Sequence, residues 1–334
     1  MQFSPDTYQK NINSIENIGY YKLKEFAQPF LNQKGRYEHI DFDSVVKRYW
    51  QDKNLRLYVL HVIENIEVSL NTEMASVLGA KYGPFGYLNF SSWCNRKLSR
   101  FAVEEEQYNF KRSLKYQIEI ASKRIQDYRE ADHFEQDGFP TVWLLPNLLT
   151  FGTMRKLFSL MSPANQRQVS AKYHAKPKEM LSWLNALQMV RNICCHNSNV
   201  LDIAFKTKLI IPKSLRQYIW YQKKGRKLEY SNKIASLVAV LVYLMQSINP
   251  KYQFIDIYKT LVTICDHKED LAHRLGFRQL SAISEIFDIE TKTKRDLLQE
   301  STYQYIKKYT TDADIKKLRR LLRARTKKLK ARSH

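Results

Sequence analysis

Residues 191–196 read RNICCH and place an arginine, an asparagine and a histidine within six positions. Histidine exchanges protons near neutral pH, so His196 could move the proton of a ribose 2′-hydroxyl or of a leaving oxygen. Arg191 could stabilise the charge that develops on a phosphate, and Asn192 could orient the substrate. The spacing alone is close to chance, but these residue types suit the cleavage of a phosphodiester without a metal ion.

Two alternatives remain open for this segment. The arginine could form a surface ion pair while the histidine caps a helix C-terminus, where a protonated imidazole interacts favourably with the helix dipole. A metal site could join Cys194, Cys195 and His196 to His133 or His267. Adjacent cysteines on a helix point about 100° apart, however, and the four cysteines of the chain form no C-x-x-C pair. We therefore predict neither a metal nor a cofactor.

The surrounding segment, 177–196, has the pattern of an amphipathic helix that begins at a proline. Its predicted buried face consists of Leu184, Leu187, Val190 and Cys194. A neighbouring stripe consists of Asn185, Met189, Asn192 and His196. Arg191 lies about 140° from His196 around the helix axis. One substrate can therefore meet both side chains only through the long arginine or across two protomers.

Helical periodicity also predicts the elements around this segment. Apolar residues recur at helical spacing over 41–78 and predict one long helix, ended by Gly83 and Pro84. The segment 89–131 has a helical pattern, 140–162 predicts two short helical pieces around a bend, and 231–247 predicts a helix that is apolar nearly all round. On the polar side of the long helix, His61, Glu64 and Glu67 could orient catalytic groups or simply be solvated.

The composition indicates a polyanionic partner and disfavours several classes of fold. The net charge is +22, and there are only nine Gly and nine Pro in 334 residues, which disfavours strand-and-turn folds and Gly-rich phosphate loops. The N-terminal residues lack a secretion-signal pattern, and the longest apolar run, 234–245, is too short to span a bilayer. We therefore expect a cytoplasmic protein with no membrane partner.

The last residues differ sharply in composition from the rest. Residues 316–334 contain ten Lys or Arg and no acid. We predict a main domain, 1–290, and a basic helical tail, 291–334, that binds RNA through Lys316, Lys317, Arg319, Arg320, Arg323, Arg325, Lys327 and Lys328. The alternative is a packing helix, in which Leu318, Leu321, Leu322 and Leu329 are buried against the main domain.

Six short segments, in order along the chain, resemble the Abi-like family, the AbiD/AbiF type linked to abortive infection. They are 17–23 (NIGYYKL), 29–31 (PFL), 52–57 (DKNLRL), 63–68 (IENIEV), 149–153 (LTFGT) and 191–196 (RNICCH). Two positions depart from the family pattern: Asn147 stands where an acid is usual, and Asn199 where an arginine is frequent. The N-terminal helix before residues 17–23 also looks shortened.

The resemblance implies an all-helical, HEPN-like bundle with additional helices. HEPN proteins cleave RNA without a metal through an R-x4-6-H motif, commonly at a site made by two facing units. Arg191, Asn192 and His196 match that motif, which implies a homodimeric endoribonuclease of phage defence. The alternatives are an RNA-binding protein with an inactive site and a helical adaptor whose basic tail contacts acidic proteins or a membrane surface. The sequence does not indicate the RNA target, the trigger, or any antitoxin or regulatory RNA.

Overall fold

The computed structural model describes residues 8–38, 40–124, 134, 137–207 and 209–288. These residues form a helical protein with one small hairpin, and this confirms the predicted all-α class. The helices are α1 (Tyr8–Ile18), α2 (Tyr20–Ala27), α3 (Phe42–Tyr82), α4 (Phe90–Trp93), α5 (Arg100–Ser122), α6 (Phe151–Leu160), α7 (Pro163–Ala171), α8 (Pro177–Cys195), α9 (Ile234–Ile248), α10 (Ile255–Cys265), α11 (Glu269–Leu275) and α12 (Ala282–Glu285). The strands are β1 (Tyr221–Lys224) and β2 (Lys227–Tyr230).

The centre of the fold is α3, which spans 41 residues and packs against α2, α6, α7, α8, α9 and α10. It begins where the Asp41 side chain accepts a hydrogen bond from the Ser44 N–H at 2.7 Å. It ends at Gly83, whose φ of +78° favours glycine. The predicted helix is confirmed and continues to Tyr82. Its apolar stripe is fully buried, as at Leu55, Val59 and Ile66.

The segment 89–131 is helical as predicted over its described part, where it forms two separate helices, α4 and α5. The break follows from local hydrogen bonds. The Asn95 side chain accepts from the Lys97 N–H at 3.1 Å, and the Ser99 hydroxyl caps the start of α5 by accepting from the Ala102 N–H at 3.2 Å. Two helical pieces over 140–162 are confirmed: a 3-10 turn at Leu145–Asn147 and α6.

The region after α8 contains both a confirmed and an unexpected element. Helix α9 matches the prediction and is buried on nearly all sides. The hairpin β1–β2 was not predicted, since its strands are rich in lysine and lack an apolar alternation. Gly225, with φ of +59°, makes its turn. Tyr221 pairs with Tyr230, and Lys224 with Lys227.

Near the N-terminus, α1 ends just before Gly19 and α2 begins just after it. The helix that looked shortened in the sequence is therefore present as α1. Leu23 and Phe26 of α2 pack with Val45 of α3 in a small apolar cluster. Within the described residues, no helix combines the length and the apolar character that crossing a bilayer requires.

The chain divides into two units, Met1–Phe287 and Asp288–His334. Apart from Asp288, the second unit lies outside the described residues. The predicted tail, 291–334, and its eight predicted RNA-binding residues lie there too, so the boundary at 290 and the tail's role stay predictions.

Candidate active site

Helix α8 has the buried face and the exposed stripe that the sequence pattern predicts. It begins at Pro177, where the Lys176 N–H donates to Glu179 Oε2 at 2.8 Å, and ends at Cys195. The predicted inner face is buried. The whole predicted stripe is exposed: Asn185, Met189, Asn192 and His196.

His196 occupies the C-cap position of α8, and a Schellman motif ends the helix there. The Ser198 N–H donates to the Ile193 carbonyl at 3.0 Å, and the Asn197 N–H donates to the Cys194 carbonyl at 3.3 Å. Asn197 takes the left-handed conformation, with φ of +56°, that this motif requires. The backbone of His196 is therefore fixed, while its imidazole is exposed. No side chain in the described part of the chain hydrogen-bonds to that imidazole.

A buried ion pair on α3 holds the segment that follows His196. Arg56 donates from Nη1 to Asn197 Oδ1 at 3.0 Å, and Asp52 Oδ1 accepts the backbone N–H groups of Val200 and Leu201 at 2.8 and 2.9 Å. Arg56 Nε lies 2.8 Å from Asp52 Oδ2, although its N–H does not point at that oxygen. Three of the residues that follow His196, namely Asn197, Val200 and Leu201, are therefore hydrogen-bonded to one turn of α3.

Burial is the largest influence on the pKa of the Asp52 carboxyl. It raises this pKa above its usual value, against the lowering effects of the two backbone donors and of Arg56. We did not predict this pair from the sequence. The available signal was position, since Asp52 and Arg56 lie beside Leu55 and Val59 on the apolar stripe of a long helix, where charged residues require partners.

Arg191 lies half-buried against α3, where Glu67 is its electrostatic neighbour. Burial raises the pKa of the Glu67 carboxyl, Arg191 lowers it and Glu64 raises it. Among the described residues, no carboxylate forms a close ion pair with Arg191 and no group hydrogen-bonds to its guanidinium. The surface ion pair considered for Arg191 is therefore not formed within that part of the chain.

Of the other polar residues predicted near the site, His61 contacts a tyrosine from a distant segment. The Nδ1 atom of His61 lies 2.9 Å from the Tyr252 hydroxyl, and the two rings stack. Glu64 is exposed. Of the three polar residues noted on this side of α3, only Glu67 is partly buried beside Arg191.

Helix α6 adds an arginine that sequence analysis missed. Arg155 donates from Nη1 to Asn185 Oδ1 at 3.0 Å, on the exposed stripe of α8. The LTFGT segment positions this helix: Thr150 caps it by accepting the Thr153 N–H at 3.2 Å, and a Cβ at Gly152 would lie 3.0 Å from the Gln188 amide of α8. A second cation therefore lies beside the stripe.

Within the described residues, the cysteines of this turn belong to no group that could hold a metal ion. Cys194 is buried, and burial raises the pKa of its thiol to about 12, so it stays protonated at neutral pH. Cys195 is exposed. In the described ranges, no group of three or more His, Cys, Asp and Glu side chains is close enough to hold a metal ion. His133, considered above as a ligand, lies outside the described residues.

Comparison with known proteins identifies the family. Residues 13–202 match a family model described as Abi-like protein, and the match covers more than half of the 334 residues. It includes the whole of α3 and α8 and ends at Asp202, just after the segment held by Asp52. No curated protein and no solved structure matches the chain. The chain therefore belongs to the Abi-like family.

Proposed function

We propose that this protein is a cytoplasmic endoribonuclease of HEPN type that cleaves RNA with Arg191, Asn192 and His196. Membership of the Abi-like family indicates a role in abortive-infection defence. The catalytic part of the proposal rests on one observation. The last turn of α8 presents an exposed imidazole and a half-buried guanidinium, and no described residue engages either of them in a hydrogen bond.

These groups match the requirements of metal-independent cleavage. The neutral imidazole of His196 takes the proton of the ribose 2′-hydroxyl, and the 2′-oxygen then bonds to phosphorus. The bond from phosphorus to the 5′-oxygen breaks, and the leaving oxygen takes a proton from an acid or from water. Arg191 stabilises the charge on the non-bridging oxygens, and Asn192 donates a hydrogen bond that orients the phosphate. The products are a 2′,3′-cyclic phosphate and a 5′-hydroxyl.

The proposal includes a homodimer with a site shared between the two copies. Within one chain, Arg191 points toward Glu67 of α3, whereas His196 lies at the exposed end of α8. The same two helices expose apolar side chains, Val68 at 66% and Met189 at 36% of their surface. A contact with a second copy would cover both side chains. In such a dimer the arginine and the histidine of one site come from different protomers.

Cleavage is expected to continue at full rate in EDTA, because the mechanism uses only side-chain groups. The cleaved RNA should end in a 2′,3′-cyclic phosphate, which is measured by its resistance to polyadenylation until the phosphate is removed. Strict dependence on Mg²⁺ would contradict the mechanism. Tight RNA binding without cleavage would support the inactive RNA-binding protein, and the absence of copurifying nucleic acid would support the adaptor.

The basic tail is proposed to hold RNA through its phosphates. Each phosphate contact on single-stranded RNA contributes about 0.7 to the slope of log K against log salt concentration. If half of the ten charges in residues 316–334 contact phosphate, deletion of this segment should reduce the slope by roughly 3 to 4. The single-turnover rate at saturating RNA should change only a few-fold. A lower melting temperature with an unchanged salt slope would instead support the packing helix.

A further inference from the structure

A groove of about 620 Å³ opens between the β1–β2 hairpin, the segment before α9 and helix α11. This volume lies within the range of ordinary ligand sites. The groove lies beyond the residues that match the family model, which end at 202. The segment 197–206 connects it directly to α8, since Phe205 and Lys206 line its wall.

The hairpin supplies one wall of the groove, with an aromatic ring at its base. Alternate residues of an extended segment point to the same side, and Trp220, Gln222 and Lys224 all line the groove. The Trp220 N–H donates to the Gly276 carbonyl at 2.9 Å, and its carbonyl accepts the Ser231 N–H at 2.8 Å. This tryptophan therefore lies on a rigid backbone, and the residue is partly exposed where it lines the groove.

The charges of the groove are predominantly positive. Four cations line it: Lys206, Lys224, Lys233 and Arg274. It has two acids, and one of them, Glu229, lies 2.6 Å from the Lys224 ammonium. Neither Lys206 nor Lys233 forms an ion pair with any described residue. Unpaired ammonium groups beside an accessible aromatic ring suit a ligand that has both phosphates and flat rings.

We infer that this groove binds a stretch of single-stranded RNA, with one base stacked on Trp220 and phosphates bound by Lys206, Lys233 and Arg274. The inference takes the identity of the nucleic acid from the proposed ribonuclease function. A base stacks on an aromatic ring whatever its identity, so the groove holds RNA with little sequence preference. The bases of a duplex are already stacked on each other, and the groove therefore favours single strands.

The test uses the full chain with His196→Ala, which keeps the RNA intact, and a fluorescent single-stranded RNA of mixed sequence. The groove variant combines Lys206→Ala, Lys224→Ala and Lys233→Ala. The matched control removes three exposed lysines outside the groove, through Lys213→Ala, Lys223→Ala and Lys251→Ala. We expect the groove variant to lose about 10-fold or more in affinity for the RNA. The slope of log K against log salt concentration should fall by about 1.4, at roughly 0.7 for each of the phosphate contacts of Lys206 and Lys233. The control should stay close to the parent chain.

Stacking is tested separately by Trp220→Ala, with Tyr221→Ala on the opposite side of the strand as its control. Because one base then loses its stacking partner, Trp220→Ala should lower the affinity for single-stranded RNA by roughly 5- to 100-fold. The affinity for duplex RNA should change little. Trp220→Phe should keep most of the wild-type affinity, because phenylalanine also offers a ring for stacking. The melting temperature of each variant verifies that it is folded.

The outcomes separate this inference from the proposed function. Equal affinities of the groove variant and its lysine control would overturn the inference, even if the wild-type protein cleaves RNA. Equal loss for duplex and single-stranded RNA on Trp220→Ala would overturn the stacking. Groove-dependent binding by a wild-type protein that never cleaves RNA would overturn the ribonuclease proposal and support the groove.

Discussion

Replacement of His196 by alanine is expected to lower the single-turnover rate of RNA cleavage by roughly 10²- to 10⁴-fold, which is the usual contribution of a positioned general acid or base. RNA affinity should change little, because the imidazole is one exposed side chain at the end of α8 and most of the proposed RNA contacts lie elsewhere. Cleavage of a labelled single strand, measured at saturating protein, checks the rate. Stability should also be unaffected, since no described side chain hydrogen-bonds to this ring.

The adjacent Cys195→Ala is the matched control, because this side chain is also exposed at the end of α8. It should cleave RNA at the wild-type rate.

Arg191→Ala should lower the single-turnover rate by about 10²- to 10³-fold, because the loss of one group that stabilises the transition state has an effect of this size. If the site is shared, a mixture of Arg191→Ala and His196→Ala proteins should regain part of the activity through heterodimers with one intact site. Wild-type activity of His196→Ala would rule out the mechanism.

Replacement of Asp52 by alanine is expected to lower the free energy of unfolding by about 3 to 5 kcal/mol, because Arg56 would remain buried without its counter-charge. Two backbone N–H groups, of Val200 and Leu201, would also lose their acceptor. Chemical denaturation with two spectroscopic probes measures the change. Because these groups tie the segment after His196 to α3, cleavage should also fall at temperatures where the variant is still folded.

Asn54→Ala serves as the control on the same helix, since Asn54 is exposed, and it should change stability by less than about 0.5 kcal/mol. The double variant Asp52→Ala with Arg56→Ala should be less destabilised than the sum of the two single variants, because neither charge is then left buried alone. Additive effects would show that the two side chains do not interact. A fully stable Asp52→Ala protein would mean that water or another group solvates Arg56.

The elements that sequence analysis predicted correctly are those set by local pattern. The long run of apolar residues at helical spacing determined α3, since a helix of this length buries one continuous stripe. The same periodicity separated the buried face of α8 from the exposed stripe that ends at His196. Residue chemistry, together with the family resemblance, was enough to single out Arg191, Asn192 and His196 as candidates.

Two features of the fold, the break between α4 and α5 and the β1–β2 hairpin, were not identified from the local sequence pattern. The break before α5 depends on the Asn95 and Ser99 side chains, whose hydrogen bonds replace helical ones over only a few residues. The hairpin depends on Gly225 and on backbone pairing between strands whose exposed lysines give no apolar alternation. Both features span only a few residues, which is too short a stretch for the spacing of apolar residues to reveal them.

Only the tertiary structure decided which distant residues meet. Asp52 and Val200 are separated by 148 positions, and they contact each other because α8 packs against α3 and its Schellman motif turns the chain back toward that helix. The groove likewise joins Lys206, Trp220 and Arg274 from three separate segments. Periodicity defines the face that each helix buries, but the neighbour of that face depends on how all the helices share one core. The sequence therefore determined the chemistry available at the end of α8, and packing determined what holds it in place.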